Sequence, residues 1–190
     1  MDPESESILA ETRAWVNRVV IGLNLCPFAR AVEVNHQIRY VLTEVTGAEA
    51  LLEVLESELR LLIGTDPAQL ETTLLVHPRA LTEFDAFNEF LGEAEATVDR
   101  LGFSGILQVA SFHPQFQFAD TEPEDITNAT NRSPYPTLHL LREESIARAV
   151  DSLADPASIY EANIVTLRSL GHAGWAALQA QCKRDAIVNV

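Results

Sequence analysis

The sequence predicts a small α/β domain: a sheet with at least three parallel strands, helices packed on it, and a helical C-terminal part. Three observations carry this. Runs suited to strands at His36–Val45, Thr72–Val76 and Ile106–Phe112 alternate with long amphipathic segments. The segments between the runs are long enough for right-handed crossovers. Glycine follows the helical segments, and His-Pro closes two of the three strands.

In chain order, Ser7 is placed to cap a first helix with Ile8, Trp15, Val16, Val19 and Leu23 on one face. Gly22 is its expected stop, and Leu23–Phe28 follows as an apolar loop. In the first strand Ile38, Tyr40 and Leu42 share one face and Arg39, Val41 and Thr43 the other. Ala48–Ile63 is helical, with Leu51, Leu55, Leu59 and Leu62 at core spacing and Gly64 ending it.

Thr72–Val76 is nearly all apolar, the mark of a strand covered on both faces. Thr82 with Asp85 resembles a capping box for a helix that turns Phe84, Phe87, Leu91, Val98 and Leu101 inward, with Gly102 as terminator. Phe116 and Phe118 alternate with glutamines, which suggests a short edge strand. Beyond them the pattern predicts helices over Thr137–Val150, after Asp155-Pro156, and around Trp175–Lys183. Nothing divides the chain, so residues 1–190 are read as a single domain with its core over about 11–171.

Composition limits the function. The formal net charge is −15, from 28 acidic and 13 basic residues. Such a balance argues against nucleic acid or an anionic membrane as the partner. No apolar run approaches the ~18 residues of a spanning helix, and no secretory leader is visible, which points to the cytoplasm. Cys26 and Cys182 make no disulfide framework. No glycine-rich phosphate loop is present, which argues against a nucleotide cofactor.

Ligands of parallel sheets bind beyond the carboxyl ends of the strands. That rule singles out Glu44, His77 and His113. The predicted helix from Thr137 adds His139, Arg142 and Glu143, with His139 and Glu143 four apart on one face. Asn131-Arg132-Ser133-Pro134-Tyr135-Pro136 is the densest polar stretch, and its arginine beside a helix start suits an anion. Cys26 precedes Pro27 in the apolar loop and serves either as a buried small side chain or as a thiol nucleophile. His36 and His172 lack such company.

Four stretches stand out together: Gly22–Ala29, Glu71–Leu74 with His77-Pro78, Gln108–Pro114, and Asn131–Pro136 continuing through His139–Glu143. They resemble the domain of unknown function 1415 family, over about Glu11 to Gly171. The resemblance implies that these motifs share one site. It implies no reaction.

Three readings follow. The first is an enzyme acting on a small anionic metabolite at a rim rich in histidine and arginine. There Asn131, Arg132, Ser133 and Arg142 hold the anion, and His113 or His139 acts as acid or base. Glu143 orients the imidazole, and Cys26 supplies a nucleophile. The second uses a divalent metal on His77, His113 and His139, with Glu143 or Glu44. The third is a non-catalytic module that binds a small anion or a partner protein. Glu44 to Asp99 carries 13 acidic residues against Arg60 and Arg79, a face that would suit a basic partner.

Overall fold

The computed structural model describes residues 2–151 and 157–188. Four strands form one sheet: β1 (Ile38–Leu42), β2 (Thr72–Val76), β3 (Leu107–Phe112) and β4 (Thr137–Arg142), in the order β1-β2-β4-β3. The helices are α1 (Pro3–Trp15), α2 (Ala29–Val34), α3 (Ala48–Gly64), α4 (Phe84–Arg100), α5 (Glu143–Asp151) and α6 (Ala157–Val188). A π-helical turn, Val16–Ile21, continues α1, and a 3-10 turn, Ile126–Asn131, lies in the long loop before β4.

The expectation of at least three parallel strands is corrected. Only β1 and β2 pair in parallel, while β4 is antiparallel to both β2 and β3. The cause is the segment predicted to open a helix. Thr137–Arg142 is a strand, and α5 begins only at Glu143. Inserted between β2 and β3, β4 satisfies a ladder edge of each, an outlet for backbone groups that a helix would leave open. Thr137, Leu138 and Leu140 are at most 1% exposed as a result.

Each sheet face carries its own core. On one side α3 and α4 pack with Leu51, Leu55, Leu59, Leu62 and Phe87 against Leu75, Leu138 and Leu140. Complete burial of one such leucine contributes about 1.5–3 kcal/mol. Arg39 on β1 fastens this layer by a two-point ion pair to Glu58 of α3, at 2.8 and 3.1 Å. On the other side Trp15, Val16 and Val19 meet Leu167, Trp175 and Cys182 of α6 over Leu74.

Helix ends differ from the sequence reading in instructive ways. Asp2, not Ser7, caps α1: its carboxylate accepts the amides of Glu4 and Ser5 at 3.0 Å each, and Pro3 occupies the first turn. Thr82 caps nothing; α4 starts after Glu83 without a side-chain cap. Phe116–Phe118 forms no strand. Instead Asn128, fully buried, organises the loop by accepting from the Phe118 amide and the Thr121 hydroxyl and donating to the Glu122 carbonyl. The predicted final helix at Trp175–Lys183 is the second limb of α6, which bends at Gly171 with φ +65°, a conformation open chiefly to glycine. Asp155 and Pro156, the predicted start signal, lie outside the described residues.

Candidate functional site

A cavity of about 650 Å³ lies on the α1 and α6 face of the sheet, at the end where β1, β2 and β3 begin and β4 finishes. Its floor is the row Ile38, Thr72, Gln108 and Leu141 together with Ala110 and His139. Trp15, Val16 and Val20 form one wall, and the Cys26–Ala29 turn another. The lining is mostly apolar. This is the opposite end of the strands from the rim expected for a parallel sheet, and the inserted antiparallel β4 is the reason that rule does not transfer.

Local geometry places Cys26 there. The π-helical turn widens the helix so that Leu25 and Cys26 both donate their amides to the Val20 carbonyl, at 2.9 and 3.4 Å. Asn24 takes a left-handed φ of 55°, reversing the chain. Asn163 of α6 donates to the Leu25 carbonyl at 3.0 Å and pins the loop against the core. Gly22 is required at this bend, because a Cβ there would lie 2.2 Å from the Arg18 carbonyl oxygen. Cys26 is half-buried.

His139 reaches the cavity from β4, between Leu74 of β2 and Ala110 of β3 in the register. Its Nε2 lies 2.7 Å from the Thr72 hydroxyl, which also lies 2.6 Å from the Leu140 carbonyl oxygen. The Phe112 ring flanks it at 5.9 Å. Burial pushes the imidazole down to about 4, so it is neutral at pH 7. Glu143 does not orient it. The four-residue helical spacing is lost once 137–142 is a strand, and Thr72 is the partner instead.

His77 and His113 stand elsewhere. Both rings pack on Phe87 of α4, at 5.7 and 5.0 Å, and both are fully buried. His77 Nδ1 donates to the Ala80 carbonyl at 2.9 Å. His113 Nε2 donates to the Leu81 carbonyl and its Nδ1 accepts the Gln115 amide. These imidazoles brace the turns that follow β2 and β3. They face the α3 and α4 layer, whereas His139 faces the cavity, so the predicted metal triad does not converge. Among the described residues no group of three or more His, Cys, Asp or Glu side chains is placed to share a metal ion.

The residues predicted to hold an anion spend their donors on backbone carbonyls. Asn131 donates to Ser111, Ser133 to Tyr135, and Arg132 to Phe116 and Pro123. Arg142 directs Nη2 at three carbonyls, those of Leu62, Thr65 and Leu70, at 2.6–3.1 Å, and so closes the C-terminal end of α3. The helix start expected to accompany Arg132 is absent, since β4 occupies that segment. Glu44 accepts from Arg79 at 2.9 Å on the far rim. A second cavity, about 430 Å³, lies beside Arg132 and Trp175. Cys182 borders it, with its thiol pushed up to about 11 by burial.

Of the site residues singled out in the sequence, Cys26, His139 and Arg142 line the larger cavity; Thr72 and Ala110 line it too and were not singled out. Thr72 carried a signal: a hydroxyl in a strand buried on both faces needs a partner. Ala110 carried none.

Among the described residues no helix is long and apolar enough to cross a membrane. No curated protein and no solved structure matches the chain. Over residues 7–177 the chain belongs to the family described as protein of unknown function (DUF1415).

Proposed function

We propose that the protein is an enzyme acting on a small, largely apolar molecule held in the 650 Å³ cavity. His139 is its acid–base group, and Cys26 is the thiol on the facing wall. One observation carries the reading: two side chains capable of proton transfer and nucleophilic chemistry, from segments far apart in the chain, border one mostly apolar cavity. At pH 7 the neutral imidazole offers one unprotonated nitrogen to a bound molecule, and because burial lowers its basicity it acts first as a hydrogen-bond acceptor. The mostly apolar lining lowers the local dielectric and strengthens each polar contact there.

The reading is tested by the modification rate of Cys26, read by peptide mass mapping on the folded protein. N-phenylmaleimide, which is apolar, is expected to modify Cys26 faster than iodoacetate does. Replacement His139→Gln is expected to slow the reaction. If Cys26 reacts with both reagents as an unfolded thiol does, in wild type and variant alike, the enzyme reading fails. The expected reagent preference with no response to His139→Gln would instead identify a non-catalytic pocket for apolar molecules.

A further inference from the structure

The hydroxyl of Thr72 has one proton and two neighbours within bonding distance, the Leu140 carbonyl oxygen at 2.6 Å and His139 Nε2 at 2.7 Å. A carbonyl can only accept, so the Thr72 proton goes to Leu140. The remaining contact is then a donation from Nε2–H to the Thr72 oxygen. This assigns the tautomer: Nε2 carries the hydrogen and Nδ1 carries the lone pair. Among the described residues Nδ1 has no hydrogen-bond partner, and it is not one of the sealed, unpaired polar atoms, which are Thr73 Oγ1, His77 Nε2 and Arg142 Nε. It therefore opens onto the space that the ring borders, the cavity.

We infer that Thr72 is a positioning residue that locks His139 as a hydrogen-bond acceptor, so that the cavity takes a neutral, largely apolar ligand bearing an O–H or N–H head. This rests on the cavity being the functional site. The charged groups around the cavity agree with it. Arg142 is turned to the three carbonyls at the end of α3. Arg148 is 64% exposed and paired with Glu144. Glu71, also in the lining, opposes an anion. No cation free of a partner is left, among the described residues of the lining, to hold a carboxylate or phosphate. A neutral imidazole with its lone pair inward repels an anionic oxygen and welcomes a donor.

The test has two parts. Long-range ¹H–¹⁵N correlation spectra of the imidazoles report the His139 tautomer without any ligand. Wild type and Thr72→Ser are expected to show Nε2–H alone, and Thr72→Val a mixture or the other form. A wild-type mixture, or Nδ1–H, overturns the assignment. Binding is then followed at the amides of Ala110 and His139 with benzyl alcohol, its methyl ether and benzoate. Benzyl alcohol is expected to shift them, with the ether roughly threefold to tenfold weaker, the worth of one hydrogen bond. Benzoate binding as tightly as the alcohol overturns the ligand class. The expected tautomer with no shift by any of the three means the cavity is not the site, and the ligand class falls with it.

Discussion

The indole Nε1 of Trp15 donates to the Arg132 carbonyl oxygen at 3.0 Å, joining positions 117 residues apart. The same indole packs edge-on against Phe112 at 5.2 Å and borders both cavities. It is a partition as well as a tie. Trp15→Phe leaves the Arg132 carbonyl unpaired and is expected to cost about 1–3 kcal/mol. Trp15→Ala removes the partition and is expected to cost about 3–5 kcal/mol. Urea unfolding followed by circular dichroism measures both. Equal costs would show that the hydrogen bond alone matters, and an unchanged midpoint for Trp15→Phe would show that packing alone does.

Gly22→Ala tests how the Cys26 loop is held. The added methyl meets the Arg18 carbonyl oxygen, so the backbone must move. Overpacking of this kind costs about 1–3 kcal/mol. Because Leu25 and Cys26 hang from the adjacent Val20 carbonyl, the maleimide rate at Cys26 is expected to change together with stability. An unchanged urea midpoint and rate would refute this account of the bend.

Arg142 is predicted to act on stability. Arg142→Met leaves the Leu62, Thr65 and Leu70 carbonyls without their shared donor. The expected loss is about 1–3 kcal/mol, with Arg142→Lys in between, because an ammonium lacks the planar fork. The check is the urea midpoint at constant m-value. If the variant keeps its midpoint but loses ligand, Arg142 belongs to the binding site.

Histidines drawn out of water by the fold make stability fall in mild acid. His77 and His139 are pushed from 6.5 down to about 4 by burial, and His113 is lowered for the same reason. Between pH 6.5 and 4 the unfolded chain binds protons that the folded chain refuses, so unfolding free energy rises with pH. Stability is fully present above about 6.5 and drains away toward 4. For His77, wholly enclosed, the gap corresponds to roughly 3 kcal/mol at 1.4 kcal/mol per unit. Urea midpoints measured from pH 7.5 to 4.5 give the slope, and His77→Gln is expected to reduce it by about one proton. A flat profile, or imidazole resonances titrating near 6.5, would contradict burial in the neutral form.

Helix periodicity and strand endings were legible because both are local. Leu51, Leu55, Leu59 and Leu62 recur at the helical repeat, and all four are 0% exposed. Thr72–Val76 reads as a doubly covered strand, and each of its residues is buried. The candidate site was legible only in part. Cys26 and His139 were chosen for their chemistry, yet the cavity that both border lies at the other end of the sheet from the expected rim. His77 and His113 attract attention for the same chemical reason, but their ring nitrogens serve adjacent turns. Arg132 and Arg142 look like anion donors because a sequence does not reveal which carbonyls lack partners.

Thr137–Arg142 shows where local information stops. As a string, Thr-Leu-His-Leu-Leu-Arg followed by Glu-Glu-Ser-Ile continues one helical pattern, and its own propensities do not choose between helix and strand. The choice is made by β2 and β3, each with an open hydrogen-bonding edge, separated from it by some 25 to 60 residues of chain. Once β4 fills that gap, the sheet direction, the face of His139 and its bond to Thr72 all follow. Periodicity within one segment can say that a residue is buried. Which partner it is buried against depends on backbone groups that segment does not contain.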